Sequence, residues 1–150
     1  MGLAVVAAVP SQMQRWLGHQ DPSVRSARIP RALALNVVLG VLAAAVVMLV
    51  MPTATDILFN GVVPVDGTLV AAAAVLVAAV CASRGAGLAL VAVDRAPSIT
   101  IAVLVSAPVG LAALAAGALT WGTAGGMAGL AVAEIIGLAV QLIALRRRPL

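Results

Sequence analysis

The stretch GTLVAAAAVLVAAVCASRGAGLALVAV, residues 67–93, decides the fold. Residues 68–82 are almost entirely apolar, and apolar residues resume after Ser83, Arg84 and Gly85. A membrane-spanning helix needs about 20 predominantly apolar residues. Splitting the stretch at Arg84 would give two pieces too short to span, and a charged break in lipid would leave backbone groups without partners. The stretch therefore predicts one long spanning helix.

The composition of the whole chain supports an integral membrane protein. Hydrophobic residues make up 63% of the 150 residues and charged residues only 9%. A soluble domain carries about a quarter charged residues, because its surface faces water. Ala, Val, Leu and Gly dominate here, and small side chains allow helices to approach closely in a bilayer.

Three further apolar runs predict spans at residues 32–52, 98–119 and 124–145. Together with residues 67–93 they predict an all-α polytopic membrane helix bundle with four full spans. Pro52 is expected to end the first span. Residues 2–9 are apolar but too short to cross, so residues 1–31 are interpreted as the stub of an earlier helix followed by a basic cytoplasmic loop. Residues 146–150 are interpreted as a basic cytoplasmic tail.

The arginines predict the orientation. All nine basic residues are Arg, and eight of them fall before the first span, in the turn after the second, or after the fourth. Positively charged residues are retained in the cytoplasm. The loops at residues 53–66 and 120–123 are therefore expected to face outward, with the C-terminus inside, in a multi-pass protein of a bacterial plasma membrane.

The chain has no recognisable catalytic motif. His19 and Cys81 are the only residues of their kinds, and they are interpreted as a solvated loop residue and a small packing residue. No metal-ligand cluster or phosphate-binding loop occurs. We therefore expect no enzyme activity, no metal or other cofactor and no nucleic-acid partner. A membrane enzyme acting on lipid is the weakest alternative, and Glu134 would be its last candidate residue.

Two charged residues inside the spans are the candidate substrate-binding residues. Arg84 lies within the second span and Glu134 near the middle of the fourth. A charge inside the membrane costs at least about 2.5 kcal/mol, and such residues often line a substrate or ion pathway. The alternatives are that Arg84 extends to the cytoplasmic interface and that Glu134 is a locally paired or protonated packing residue.

The remaining candidates concern helix packing. Gly122, Gly125, Gly126 and Gly129 contain two small-xxx-small pairs, which are typical of close helix contacts. Pro108 lies near the middle of the third span, where it would act as a hinge or produce a static kink.

Five short segments carry a resemblance to a known family. They are GLAVVAAVP (2–10), SVRSARIPRAL (23–33), ILFNG (57–61), VAVDRAPSIT (91–100) and WGTAGGMAGLAVAE (121–134). In this order they resemble the second part of one lobe of a polysaccharide or lipid-linked-oligosaccharide flippase, in the multidrug/oligosaccharidyl-lipid/polysaccharide superfamily. The resemblance covers nearly all of the chain, but such transporters have twelve to fourteen spans, so it implies the C-terminal portion of a longer transporter.

The resemblance implies a function. Members of this family move a polyprenyl-pyrophosphate-linked sugar across the plasma membrane by alternating access, which would make a lipid-linked sugar, membrane lipids and the missing upstream helices or another membrane subunit the partners here. Arg84 is the natural candidate for the pyrophosphate, because guanidinium pairs bidentately with phosphate. The alternative is a self-contained four-helix accessory or assembly protein that acts through helix–helix contacts.

Overall fold

The computed structural model describes residues 22–62 and 65–147, with side-chain detail from residue 28 onward. Three α-helices make up nearly all of this part: α1 is Pro22–Phe59, α2 is Gly67–Ala92 and α3 is Pro97–Arg146. Each is long and apolar enough to cross a membrane. The all-helical membrane architecture expected from the composition is therefore confirmed for the described residues. The stub at residues 2–9, Trp16 and His19 lie outside them.

The prediction of four separate spanning helices is not what the structure has. Its described part contains three such helices, because residues 98–119 and 124–145 both belong to α3. Trp121 (φ −128°, ψ 17°) and Gly122 (φ 62°, ψ −144°) interrupt the helical conformation between the two runs. We refer to Pro97–Thr120 as the first half of α3 and to Thr123–Arg146 as its second half.

Two predicted boundaries of the first span are also wrong. Residues 22–31 are helical rather than a loop, and α1 continues through Pro52 to Phe59. A proline in a helix removes one backbone hydrogen bond, but membrane helices tolerate the loss when their surroundings adjust. Asn60 and Gly61, which both have positive φ, end the helix instead.

Helices α1 and α2 pack against each other with their chains running in opposite directions. Ala32 is buried against Leu88 and Ala92, near the end of α2. Further along α1, Gly40 lies against Cys81, so that a Cβ built on Gly40 would be 3.0 Å from the Cys81 Cβ. The two helices therefore form an antiparallel pair.

The two halves of α3 also pack against each other in antiparallel fashion. A Cβ built on Gly129 would lie 2.5 Å from the backbone of Ala113, and one built on Gly110 would lie 2.5 Å from the Ala133 Cβ. Nearer the break, the backbones of Gly117 and Gly125 touch directly. Because only a hydrogen fits at these places, glycine allows α3 to fold back on itself.

Helix α2 lies between the other two helices. It packs against both α1 and α3, whereas α1 and α3 do not pack against each other within residues 22–62 and 65–147. Most of the buried residues of α2 are alanines, and Leu90 is its largest fully buried side chain. In contrast, one face of α1 leaves large apolar residues exposed, namely Leu35, Val38, Leu42, Val46 and Leu49. This face is suited to contact with lipid.

Candidate functional site

A groove lies between α2 and both halves of α3. Its volume is about 290 Å³. We name it the Arg84 groove, and its polar lining residues are Ser83, Arg84, Ser106, Glu134 and Gln141. The structure thus brings the two sequence-predicted charged residues, which are 50 positions apart in the chain, to one cavity.

Two glycines bring the walls of this groove together. Gly87 of α2 faces Ile99 of the first half of α3, and Gly137 of the second half faces the hydroxyl of Ser106. A Cβ built on Gly137 would lie 3.4 Å from Ser106 Oγ. Because neither glycine carries a side chain, space remains between the helices for the polar groups of the lining.

Both charged residues lie inside the apolar length of their helices. Arg84 is eight residues before the end of α2, or about 12 Å at 1.5 Å per residue, and Glu134 is about 18 Å from the end of α3. Arg84 is therefore nearer to the end of its helix than Glu134 is to the end of α3. Exposure of these groups to hydrocarbon alone would be costly.

The two side chains share the groove without forming an ion pair within the described residues. Arg84 is exposed and Glu134 is partly buried. Each group therefore remains able to interact with a ligand.

Gln141 is the functional candidate that the sequence reasoning missed. Its side chain is only 6% exposed, and its Oε1 has no hydrogen-bond partner in the part of the chain that the structure describes. A buried polar atom without a partner is unfavourable by about 1–3 kcal/mol. The available signal was spacing, because Gln141 follows Glu134 by seven residues, or two helical turns on the same face.

A second set of contacts joins the two ends of α3. Arg95, in the turn between α2 and α3, donates hydrogen bonds through Nη1 to the backbone oxygens of Ala144 and Arg147. Ala144 lies in the last turn of α3 and Arg147 directly follows it, at the end of the helix where the dipole favours a cation. A wider cavity of about 640 Å³ lies beside this contact and is lined in part by Asp94 and Arg147.

The other sequence-predicted residues lie away from the groove. Gly125, Gly126 and Gly129 face the first half of α3, and Gly122 occupies the break with its positive φ. Pro108 is exposed, and the non-helical backbone of α3 is confined to residues 121 and 122. The glycines thus pack within this chain, and Pro108 lies inside the helical first half of α3, thirteen residues or more before the non-helical residues Trp121 and Gly122.

Among the described residues, no cluster of three or more His, Cys, Asp or Glu side chains could hold a metal ion. No family model matches the chain, and no curated protein or solved structure matches it either. The fold and the groove are therefore interpreted from this chain's own residues.

Proposed function

We propose that this chain is part of a membrane transporter and that the Arg84 groove contacts its polar substrate. The observation that carries this is the placement of Arg84 and Glu134 in one groove within the apolar length of the bundle. Charged residues inside a membrane are expensive and commonly mark a transport pathway. The flippase resemblance makes a polyprenyl-pyrophosphate-linked sugar the proposed substrate, with its phosphate at Arg84.

We further propose that the chain crosses the membrane four times, with its C-terminus in the cytoplasm. As one straight helix, α3 would measure about 75 Å, far more than the hydrocarbon core of about 30 Å. The break at Gly122 and the hydrogen bonds from Arg95 to the last turn of α3 support two crossings by this helix. The same contacts gather Arg95, Arg146 and Arg147 at one end, as expected for a cytoplasmic side.

Single cysteines test this topology. In a Cys81→Ala background, Thr123→Cys and Asp66→Cys should both react with a membrane-impermeant maleimide added outside intact cells. Ala96→Cys should react only after the membrane is opened. Protection of Thr123→Cys from the reagent on both sides would contradict two crossings by α3, because residue 123 would then lie in lipid.

Arg84 is exposed on the described bundle, and a further protein surface against it would shield the guanidinium from lipid. The proposed function includes further transporter helices, supplied by an upstream segment or another subunit. These helices would enclose the groove and provide the alternating access that a transporter requires.

A binding assay tests the proposed substrate site. The full chain in detergent should bind a short-chain polyprenyl pyrophosphate, and Arg84→Gln should weaken that binding about tenfold or more, the effect of losing one charge-assisted hydrogen bond. Arg31→Gln is the matched control, since Arg31 lies on α1, away from the groove. Equal affinity of wild type and Arg84→Gln would reject Arg84 as the phosphate ligand.

The exposed apolar face of α1 favours one second candidate, an accessory protein that assembles through helix contacts. The glycines at 125, 126 and 129 already pack against the first half of α3, so contacts with a partner protein would use α1. Under this alternative, Leu42→Ala with Leu49→Ala should release a partner subunit while leaving pyrophosphate binding unchanged. Loss of binding in Arg84→Gln without any effect of the α1 changes would favour the transporter.

A further inference from the structure

The buried amide of Gln141 gives the groove an unused hydrogen-bond acceptor. Its Oε1 is without a partner in the described part of the chain, and its side chain is more than nine-tenths buried while lining the Arg84 groove. In a medium that offers little water, such an acceptor is stabilised by a group that donates a hydrogen bond to it.

The carboxyl group of Glu134 is a second acceptor on the same wall. It lies two turns before Gln141 on the same face of α3, about 10 Å along the helix axis. Ser106 faces Gly137 between them, but its hydroxyl donates to the Val103 carbonyl oxygen at 3.5 Å. One wall of the groove therefore presents an amide oxygen and a carboxyl group that can both accept hydrogen bonds.

The opposite wall presents a cation. Arg84 on α2 has five N–H donors and no acceptor. A simple phosphate would pair with Arg84 but leave both acceptors of the other wall without a donor. A simple cation would satisfy those acceptors but would be repelled by Arg84. A ligand that carries both charges satisfies the whole lining.

We infer that the Arg84 groove binds a polar headgroup that carries a phosphate and a primary ammonium a few ångströms apart. The phosphate accepts hydrogen bonds from the Arg84 guanidinium, which matches phosphate geometry bidentately. The ammonium has three N–H donors, and it bonds both Gln141 Oε1 and the Glu134 carboxylate when these two side chains turn toward each other along α3. A quaternary ammonium has no N–H and cannot make these bonds, so the groove distinguishes the two headgroups.

This inference does not depend on the transport of a pyrophosphate-linked sugar, because it concerns the donor groups that the lining requires. The headgroup could belong to a membrane phospholipid or to a free phosphoethanolamine. The opening of the groove within the apolar length of the bundle favours the lipid.

The test compares three lipids of equal acyl chain on the full chain in detergent, by native mass spectrometry with titration. We expect short-chain phosphatidylethanolamine to bind about tenfold more tightly than phosphatidylcholine, a ratio that one hydrogen bond of about 1.4 kcal/mol would give. Phosphatidylglycerol, which has a phosphate but no ammonium, should also bind more weakly than phosphatidylethanolamine. If free phosphoethanolamine competes at the same concentration as the lipid, the proposed headgroup chemistry is supported. The ligand would then be a soluble molecule rather than a phospholipid.

Three variants locate the effect. Gln141→Leu and Glu134→Gln should each reduce the preference for phosphatidylethanolamine over phosphatidylcholine to within about twofold, because the first removes an acceptor and the second replaces a charge-assisted hydrogen bond from the ammonium with a weaker one to an amide. Thr120→Val is the control, since this hydroxyl donates to the backbone of its own helix at the end of the first half of α3 and does not line the groove. Glu134→Gln keeps the shape of the side chain, so it decides the question if Gln141→Leu does not fold.

Equal binding of phosphatidylethanolamine and phosphatidylcholine to the wild type would overturn the inference, and so would a preference that persists in both Gln141→Leu and Glu134→Gln. Arg84→Gln should weaken phosphatidylethanolamine and phosphatidylglycerol alike. A protein that shows the ethanolamine preference but does not bind a polyprenyl pyrophosphate would reject the proposed transport substrate and leave this inference standing.

Discussion

The α1–α2 pair and the folded-back α3 are both antiparallel helix pairs, but they achieve contact differently. Between α1 and α2, the atom nearest to a Cβ built on Gly40 or Gly85 is a side-chain carbon, the Cβ of Cys81 or of Asn36. Between the halves of α3, glycines bring backbone against backbone, as at Gly117 and Gly125. Their connections differ as well, since residues 60–66 link α1 to α2, whereas α3 reverses at Trp121 and Gly122.

This difference predicts which of the two interfaces tolerates a larger residue. A Cβ built on Gly125 would overlap the Gly117 carbonyl oxygen, whereas one built on Gly85 or Gly40 would lie 2.6 or 3.0 Å from a Cβ of the other helix, so a larger residue must separate the helices further in α3. We therefore expect the α3 pair to tolerate substitution less well than the α1–α2 pair, at both its interface and its connection.

The largest effect is expected from Gly125→Leu. Its side chain would be driven into the backbone of Gly117, which cannot move without separating the halves of α3. We expect the free energy of unfolding to fall by more than about 3 kcal/mol, at or beyond the upper end of overpacking costs. The measurement is reversible unfolding in mixed micelles of increasing SDS content.

Gly67→Leu is the control for that experiment, because a Cβ at Gly67 meets no other atom within 4 Å. It should change stability only slightly. Similar losses in Gly125→Leu and Gly67→Leu would mean that leucine itself, rather than backbone contact in α3, causes the effect.

The connection of α3 gives the next prediction. Gly122 adopts φ 62° and ψ −144°, a conformation in which a Cβ is strained. Gly122→Ala should therefore lower the free energy of unfolding by about 1–3 kcal/mol, although open space surrounds the residue. The same unfolding assay measures it, with Thr123→Ala as the neighbouring control. An unchanged stability in Gly122→Ala would indicate that α3 does not reverse at this residue.

A residue exchange tests the α1–α2 interface. A Cβ on Gly85 would lie 2.6 Å from the Asn36 Cβ, so Gly85→Ala should destabilise the protein by about 1 kcal/mol. The double variant Gly85→Ala with Asn36→Gly moves the Cβ from one helix to the other. Each single change should cost more in the wild-type background than in the presence of its partner, as a double-mutant cycle would show. Strict additivity would mean that the two residues do not touch.

The sequence was sufficient for features that depend on hydrophobicity and local backbone chemistry. The apolar run at 67–93 predicted a helix, and the structure has one at Gly67–Ala92. The Gly-rich segment after Thr120 indicated an interruption, and the backbone does leave the helical region at Trp121 and Gly122.

Features that depend on the surroundings were harder to predict. Pro52 was expected to end a span, yet α1 continues past it, because one missing hydrogen bond does not outweigh the remaining turns of an apolar helix. In the sequence, Gln141 is a single polar residue near the end of an apolar run. Its importance comes from burial and from the lack of a partner for Oε1, both of which arise from packing.

The smallest effect is expected at the connection between α1 and α2. Asp66 precedes α2, and its carboxylate accepts hydrogen bonds from the hydroxyl and the backbone N–H of Thr68. These bonds, led by the one from the hydroxyl, lower the pKa of Asp66 below its ordinary value of 3.8. A carboxyl whose pKa is lower in the folded state stabilises the protein above its unfolded pKa. That stabilisation is lost as the pH falls through the folded pKa.

Asp66→Asn distinguishes the contribution of the hydrogen-bonding cap from that of the titrating charge. Asparagine retains an oxygen that can accept from Thr68 but does not titrate, so this variant should lose the part of the pH dependence below about pH 4 that the carboxyl contributes. Asp66→Ala should lose that dependence and also be slightly less stable at neutral pH. By comparison, α3 begins after Ala96 without a side-chain cap, and Ala96 has helical φ and ψ, so substitution of Ala96 by serine should create no cap and leave stability nearly unchanged. If the acid dependence of stability is the same in Asp66→Asn as in the wild type, Thr68 holds the fully exposed carboxylate too weakly to affect folding. Of the two connections, only the one at Gly122 would then influence the stability, through its backbone strain.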